Sequence, residues 1–386
     1  MIRIKTSHQI QNTIKQIHLR WVRDRFFYKN KGKIRKELSL LKQELDLSNI
    51  NDFINLIIGN LDTLLAFQKI IGSKAKGRKP GDNAPQLEKD EYQKKKKTFD
   101  KIWDSFGYDD FLKILDEKWY VKFRHKYGEW NVFEYLTLLS IDSCPYCNEN
   151  YVYILKDEDG EKTTCCEMDH FISKADYPYL SCSIFNLIPS CHNCNTIKRD
   201  KSLKIINPFI EGYNENGKFI VCFSNNEDTL EPVNQLPIKV KIKEKICNAK
   251  SFKDFNHQLE KLFRIKESKK LFCLENRYSH HKIELQDLFT RYRNYSKSKI
   301  DEITRLILNE KINLDNLGLN EKQKEDLYQK IASTYTKRIK QTILGLPLGA
   351  GDKQYPLRKF KEDIIEQLDN TAKKVKTEAR NKNISK

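Results

Sequence analysis

Two Cys-x-x-Cys pairs constrain this chain more than any other feature of its sequence. The first pair is Cys144 and Cys147, and the second is Cys191 and Cys194. Each pair can turn two thiolates toward one ion, and two such pairs supply the four sulfur ligands of a tetrahedral Zn²⁺ site. A zinc ion with four protein ligands has no open position, so we expect a structural role. It would fix a β-hairpin to a short helix that opens at the second pair and ends near Lys201.

The segment between the two pairs has the pattern of short strands. Residues 151–155 and 164–168 are typical of strands, and the turn residues 157–160 join them. Residues 186–189 form a third extended stretch that leads into the second pair. The sequence therefore predicts a small β-structure that ends at a metal-bound helix.

Polar residues suited to catalysis lie beside the cysteines. Asp169 and His170 end the second predicted strand, and their side chains point to opposite faces because a strand has a period of two. Asn195 follows the last cysteine, where its carboxamide oxygen can approach the Asp169 carboxylate. Such hard oxygen ligands suit Mg²⁺ or a similar ion, for example Mn²⁺. His170 is then placed to take a proton from an attacking water.

This ordered set of motifs resembles the HNH nuclease family and its ββα-metal fold. The resemblance implies that His170 is the general base and that Asn186 orients it. It also implies that Asp169 and Asn195 bind the catalytic Mg²⁺ or Mn²⁺. Asn at this third motif position is an accepted variant of the family pattern. His192 is an alternative metal ligand, although its place between two cysteines favours the surface of the zinc knuckle.

The same resemblance covers the structural metal and the substrate contacts. It implies that the four cysteines hold the structural zinc found in many HNH nucleases. Lys198, which completes an Asn-x-x-Lys pattern, and Lys201 are the implied phosphate contacts.

A narrower resemblance concerns residues 144–209. Its motifs are C-P-Y-C-N, D-H-F, Y-P-x-L-S, F-N-L-I-P-S-C-H-x-C-N and N-P-F. They are similar to those of HNH nucleases from bacterial anti-phage systems, such as the Septu nuclease subunit (PtuB) and retron-associated effectors. This resemblance implies a companion ATPase of the SMC/ABC type (PtuA-like). The chain itself has no G-x-x-x-x-G-K-[ST] loop for nucleotide binding.

Two other classes of protein remain open at this point. A zinc ribbon without catalytic activity presents loops to nucleic acid with the same cysteines, but it has no need of Asp169 or His170. An HNH enzyme directed at RNA, including a toxin that cleaves tRNA, carries the same motifs, and only a comparison of substrates separates it. We expect a DNase that acts on double-stranded DNA.

Composition agrees with a polyanionic partner. The formal net charge is +18, and phosphates bind Lys and Arg with release of counterions. Acidic protein partners and a homo-oligomer also stay open. Ten cysteines in 386 residues are too few for a disulfide scaffold, and no apolar run approaches the roughly 20 residues of a membrane span. We therefore expect a reduced, cytoplasmic protein without a signal peptide or membrane partner. Cys165 and Cys166 lie close to the two pairs in the sequence and are rival zinc ligands.

The predicted fold class is α+β and mostly α-helical, with the ββα-metal core flanked by helical regions. Ile10, Ile14, Ile17 and Trp21 repeat at helical spacing behind Ser7, a candidate N-cap. The predicted regions are 1–72 (N-terminal helices), 73–98 (basic linker or loop), 99–140 (helices on the nuclease core), 141–212 (HNH core with zinc knuckle), 213–250 (irregular or β) and 251–386 (C-terminal helices with a basic tail).

Overall fold

Helices dominate the structure, a computed structural model. It describes residues 1–29, 34–77, 79–113, 117–199, 201, 204–213, 216–223, 238–295, 297–311, 319–346 and 355–384. Helices account for 61% and strands for 9% of the structure, which confirms the predicted mostly helical α+β class. Across these described ranges, no helix combines the length and apolar character that crossing a membrane requires.

The chain divides into two units. Unit 1 comprises Met1–Asn214, Leu259–Phe272 and Gln354–Pro356, and unit 2 comprises Glu215–Gln258, Cys273–Lys353 and Leu357–Lys386. The four regions predicted for residues 1–212 therefore belong to one unit, together with two segments that return from far along the chain.

Unit 1 begins with eight described helices and continues into the cysteine motifs. These helices are α1 (His8–Lys29), α2 (Ile34–Leu45), α3 (Ile50–Ile58), α4 (Leu61–Ile71), α5 (Gln86–Phe106), α6 (Tyr108–Phe111), α7 (Lys118–Tyr127) and α8 (Val132–Leu139). The motif segment contains β1 (Ile154–Lys156), β2 (Lys162–Thr164), β3 (Glu167–His170), β4 (Leu187–Ser190) and α9 (His192–Lys198). The next helix, α10 (Phe252–Leu271), begins in unit 2 and ends in unit 1.

Local side-chain caps explain where several of these helices begin. The Ser7 hydroxyl accepts a hydrogen bond from the Ile10 amide at 3.2 Å, as predicted, and Ile14 and Trp21 are fully buried on the same helix. Asn131 caps α8, the helix that leads into the first cysteine pair, because its side chain accepts from the amide of Phe133 at 3.0 Å. The helix before the motif is thus fixed at its start.

The structure corrects the linker predicted for residues 73–98, because its second half is the start of α5. The lysine run 94–97 lies on this helix, where Lys95 pairs with Glu91 and Lys96 with Asp100 at i,i+4 spacing. Such pairs on an exposed face support the helix. A helical stripe continues in Phe99, Ile102 and Phe106, which are buried. The charge run is therefore the solvated face of a helix.

The strands of the motif segment pair differently from the prediction. β1 pairs with β2, with Ile154 opposite Thr164, but the chain then bends, and the Thr164 hydroxyl accepts a hydrogen bond from the Cys166 amide. The next residues form β3, which pairs antiparallel with β4 and places His170 opposite Leu187. The strand that carries the polar residues is thus joined to the stretch that precedes the second cysteine pair.

Long-range contacts complete unit 1. Ile206 donates its amide to the Ser268 hydroxyl at 2.9 Å, and Arg264 pairs with Glu211 at 2.6 Å. The Tyr355 carbonyl accepts from the Asn148 side chain at 2.8 Å. The returning segments therefore support the turn beside the first cysteine pair and the chain that follows α9.

A buried histidine ties together three segments of unit 1. The ring of His18 is fully buried, with Nε2 2.7 Å from the Cys182 carbonyl oxygen and Nδ1 3.0 Å from the indole nitrogen of Trp130. A carbonyl oxygen only accepts and an indole N–H only donates, so the proton is on Nε2 and Nδ1 carries the lone pair. Burial lowers the pKa of His18 to about 4. Protonation would also remove the hydrogen bond from Trp130.

We expect this histidine to make unit 1 sensitive to acid. Above pH 6.5 the ring is neutral in the folded and unfolded chain, whereas between pH 6.5 and a pKa of about 4 only the unfolded chain binds the proton. Stability is therefore lost as pH falls through this window, by about 3 kcal/mol in total. His18→Gln should reduce the pH dependence without abolishing it, because His170 of the same unit is also buried with a lowered pKa. His125→Gln, at an exposed position of the same unit, should leave it unchanged. Urea unfolding at several pH values in this range measures the free energy of unfolding. If it depends on pH equally steeply in wild type and in His18→Gln, the expectation is contradicted.

Unit 2 contains a β-hairpin and a set of helices. Its elements are β5 (Gly217–Phe223), β6 (Ile238–Glu244), α11 (Leu274–Ser279), α12 (Lys282–Asn294), α13 (Lys297–Lys311), α14 (Glu321–Ile343) and α15 (Arg358–Ile384). The region 213–250, predicted to be irregular or β, contains β5, which pairs antiparallel with β6. Ring contacts of Phe219 with Tyr278 (4.3 Å) and Phe360 (5.6 Å) join the hairpin to α11 and α15.

Candidate metal centre and adjoining polar site

The four cysteines of the two pairs meet in unit 1. Their Sγ atoms all lie within 4.8 Å of one another, and all four residues are buried. Two ligands of a tetrahedral zinc with bonds of about 2.3 Å are about 3.8 Å apart, so the spacing suits one ion. Within the described residues, this cluster contains neither Cys165 nor Cys166. The cluster can hold a structural metal ion such as zinc.

Backbone geometry and N–H donors support this metal centre. The first pair lies on a tight turn, in which the Asn148 amide donates to the Cys144 carbonyl at 2.7 Å and Asn148 has a left-handed φ of 56°. The second pair opens α9, with Cys191 at the N-cap. The side-chain nitrogen of Asn150 lies 3.3 Å from the Cys191 sulfur. Burial raises the pKa of the Cys144 thiol well above its usual value, whereas a bound cation favours the thiolate.

Asp169 is buried directly beside the metal centre. One carboxylate oxygen accepts a hydrogen bond from the Tyr146 hydroxyl at 2.6 Å, and the other lies 3.0 Å from the Lys198 ammonium. Tyr146 stands between the two cysteines of the first pair, so it links the clamp to the carboxylate. Its own pKa is raised well above the usual value by burial and by the Asp169 charge.

The structure corrects the role predicted for Lys198. Its side chain is 1% exposed and turned inward, where it donates to Asp169 and, at 2.6 Å, to the His170 carbonyl oxygen. A buried carboxylate needs a counter-charge, and this helix position supplies it. Lys198 is therefore part of the interior, while Lys201, the other predicted phosphate contact, is exposed.

His170 is held by one of its two ring nitrogens. Nε2 lies 2.8 Å from the Ser181 carbonyl oxygen, so it carries the proton and leaves the lone pair on Nδ1. In the described part of the chain, Nδ1 has no hydrogen-bond partner. The ring is 5% exposed and packs edge-on against Tyr108, with centroids 4.5 Å apart. Burial, and then the nearby charge of Lys174, lower the pKa of His170 well below its usual value.

Asn186 supports the loop around His170 through the backbone. Its side-chain oxygen accepts from the Ile172 amide at 2.7 Å, and its side-chain nitrogen donates to the carbonyl oxygens of Ile172 (3.1 Å) and Leu180 (3.0 Å). The second of these carbonyls precedes Ser181, which holds the His170 ring. Asn186 therefore fixes two points of the chain that follows the histidine, one just after His170 and one just before Ser181.

Asn195 lies against Glu167, not against Asp169 as predicted. Its side-chain nitrogen donates to Glu167 Oε2, and His192 Nδ1 lies 2.6 Å from Oε1 of the same carboxylate. Glu167 and Asp169 share one face of β3 because the strand period is two. α9 crosses this face. Asn195 lies over Glu167, and Lys198, one helical turn later, lies over Asp169. His192 is exposed on the knuckle surface, as predicted.

Sequence reasoning missed two residues of this site, Glu167 and Tyr146. Partial burial alone would raise the pKa of Glu167, but the hydrogen bonds from His192 and Asn195 outweigh it and the pKa lies below its usual value. Their positions in the sequence could have identified them. Glu167 is two residues before Asp169, and Tyr146 lies inside the first Cys-x-x-Cys pair.

Comparisons with family models, with curated proteins and with solved structures find no match to this chain.

Proposed function

We propose that unit 1 is a metal-dependent endonuclease of the HNH type that hydrolyses phosphodiester bonds, with double-stranded DNA as its substrate. The observation that carries the proposal is the placement of β3, β4 and α9. Asp169 and His170 end β3, Asn186 immediately precedes β4, and β4 leads into the helix that bears Asn195. β3 thus carries the carboxylate and the imidazole, β4 pairs with it, and α9, which begins at the second cysteine pair, carries the carboxamide.

His170 acts as the general base in this proposal. The Ser181 carbonyl holds the proton on Nε2, so Nδ1 is the atom that accepts a proton from water. The water oxygen forms a bond to phosphorus while the bond from phosphorus to the 3′ oxygen breaks. The departing 3′ oxygen takes a proton from solvent water and His170 returns its proton to solvent, which leaves a 5′-phosphate and a 3′-hydroxyl. The low pKa of His170 keeps the ring unprotonated at neutral pH. Asn186 keeps the loop that carries the ring in register.

Asp169 and Asn195 would hold the catalytic Mg²⁺ or Mn²⁺. Their chemistry fits a hard cation. The Asp169 carboxylate oxygens accept from Tyr146 and Lys198 and are the type of ligand that Mg²⁺ prefers. Asn195 donates through its side-chain nitrogen to Glu167, so its side-chain oxygen is the atom that suits a cation. When bound, such an ion stabilises the negative charge that develops on the phosphate and on the leaving oxygen. Lys198 supplies the counter-charge to the buried Asp169 carboxylate.

The narrower resemblance of residues 144–209 supports a biological setting for this activity. We propose that the protein is the nuclease effector of a bacterial anti-phage system and acts with a companion ATPase of the SMC/ABC type. Co-purification of such an ATPase with the tagged full chain from its native host is the corresponding test.

One specific observation favours a second candidate, a zinc-binding module that binds nucleic acid without cleaving it. Both carboxylate oxygens of Asp169 are already engaged by Tyr146 and Lys198 within the protein. A binding module would use these contacts only to stiffen the interior, and Mg²⁺ or Mn²⁺ would not change its behaviour.

Cleavage assays separate these candidates. Zinc-loaded full-length protein is incubated with supercoiled plasmid, phage genomic DNA or tRNA, with Mg²⁺, Mn²⁺ or EDTA. We expect nicking or linearisation of DNA that requires Mg²⁺ or Mn²⁺ and leaves 5′-phosphates. Metal-dependent cleavage of tRNA alone would show that the substrate is RNA. Binding of DNA without cleavage under all conditions would support the binding module.

A further inference from the structure

One face of the β5–β6 hairpin in unit 2 is lined by lysines. On β6 the buried residues Val240 and Ile242 alternate with outward positions, and each outward position is a lysine. The exposed lysines are Lys239, Lys241, Lys243 and, just past the strand, Lys245. Successive members of this set are two residues apart, or roughly 6.7 Å along the strand. The hairpin therefore presents a regular row of positive charges, which we call the lysine row.

A groove runs beside the lysine row. Its volume is about 360 Å³, and it lies between the open face of the hairpin and one side of α15. The α15 residues that line it are Asp363, Glu366, Gln367, Asn370, Thr371 and Lys374. Most of these residues are three or four positions apart in the sequence, so they lie along one side of the helix. Gln367 and Thr371 donate within the unit, to the Val221 and Gln367 carbonyl oxygens, so the Asn370 amide and the Lys374 ammonium are the donors of this wall that suit an anion.

The two carboxylates in the groove are already neutralised within the unit. Glu366 pairs with Lys218 at 2.5 Å, and Asp363 pairs with Lys359 at 2.9 Å and accepts the Phe219 amide at 2.8 Å. These acids therefore stabilise the junction between β5 and α15 and do not offset the lysine row.

The remaining lysines of the groove differ from Lys218. Among the residues that the structure describes, Lys243, Lys245 and Lys374 form no ion pair with a carboxylate. The register places Lys243 directly opposite Lys218, the lysine that pairs with Glu366. The exposed lysines of β6 are thus positive charges without a carboxylate partner in the described part of the unit, and an anionic ligand would compensate them.

Protection of a sheet edge does not explain the lysines. Exposed edge strands often carry Lys to prevent pairing with another chain, but here helix side chains already occupy outward-facing N–H groups on both strands. These bonds are Phe219 N to Asp363 Oδ2 (2.8 Å), Val221 N to Gln367 Oε1 (2.9 Å), Val240 N to Ser279 Oγ (3.0 Å) and Ile242 N to Glu275 Oε1 (2.8 Å). The lysines lie on the face of the hairpin, and the edges are covered without them.

We propose that the lysine row and its groove bind the phosphodiester backbone of a nucleic acid. A regular row of ammonium groups matches a polymer with one negative charge per nucleotide, and the contacts carry no base specificity. Unit 2 would then provide a substrate-binding site separate from the proposed cleavage site in unit 1. This proposal rests on nucleic acid being that substrate, and it is tested by binding alone.

The test is fluorescence anisotropy of labelled single-stranded and duplex DNA with full-length protein in EDTA, over a series of salt concentrations. The variant is Lys239→Gln/Lys241→Gln/Lys243→Gln. Its matched control, Lys322→Gln/Lys330→Gln/Lys337→Gln, removes the same charge from exposed positions of α14 in the same unit. A third protein with Arg at the three hairpin positions keeps the charge.

We expect the hairpin Gln variant to bind at least tenfold more weakly at moderate salt. The slope of log affinity against log salt should fall by about 2 to 3, since each lost phosphate contact removes about 0.7 to 0.9. The α14 control and the Arg variant should stay within about twofold of wild type. Equal losses in both Gln variants, unchanged binding by the hairpin variant, or displacement of DNA by polyglutamate at matched charge would overturn the proposal. Because EDTA removes the metal, a protein that binds here but never cleaves would refute only the proposed nuclease.

Discussion

Cys144→Ser is expected to unfold unit 1. Serine is not a zinc ligand of comparable affinity, and the four sulfurs are buried within 4.8 Å of one another, so three ligands around an incomplete site remain. Structural zinc contributes on the order of 10–16 kcal/mol in small zinc domains, as much as or more than the roughly 5–15 kcal/mol stability of a typical protein. Zinc content and thermal unfolding of the purified variant measure the effect.

Cys165→Ser is the matched control for this substitution. Cys165 lies in the same motif segment but is exposed and outside the cluster. The control should keep one zinc per chain and unfold at the wild-type temperature. A Cys144→Ser protein with wild-type zinc content and unchanged unfolding would show that the cluster is not a structural metal site.

Lys198→Met should destabilise unit 1 by about 3–5 kcal/mol. The substitution keeps the length of the side chain but leaves the Asp169 carboxylate, which is 2% exposed, without its counter-charge. Removal of one partner from a buried ion pair costs this much because the remaining charge is neither solvated nor paired. Denaturant unfolding of unit 1 gives the value, and Lys201→Met, at an exposed position on the same segment, should change it little.

A double-mutant cycle with Asp169→Leu tests the cause. If the ion pair is responsible, Lys198→Met should cost far less in the Asp169→Leu background than in wild type. Additive losses would mean that Lys198 stabilises the unit through its packing against Phe171, or through the His170 carbonyl, and not through Asp169.

The sequence predicts the parts of this site that spacing controls. The two Cys-x-x-Cys pairs require their sulfurs to converge, and the apolar stretch before them forms α8 as expected. The partners of Asn195 and Lys198 were not predictable in this way. These partners depend on the rotation of α9 about its own axis over β3. A different rotation would place other α9 side chains against Glu167 and Asp169.

Other features depend on contacts that no local pattern encodes. His18 is a single histidine on an apolar helix face, and only the fold brings it to the Cys182 carbonyl beside the loop that holds His170. The lysine run at 94–97 resembles a linker because its charge hides the helical stripe that follows. The acids at 91 and 100 were the sign of a helix, since both lie four residues from a lysine.

The most direct test of the proposed nuclease is DNA cleavage by His170→Ala with Mg²⁺, with wild type and His125→Ala as comparisons. All three proteins are first matched for zinc content and unfolding temperature, so a defect reports on the site and not on folding. Loss of a general base predicts cleavage slower by about 10²–10⁴-fold for His170→Ala alone. A folded, zinc-loaded His170→Ala protein that cleaves DNA at the wild-type rate would contradict the account.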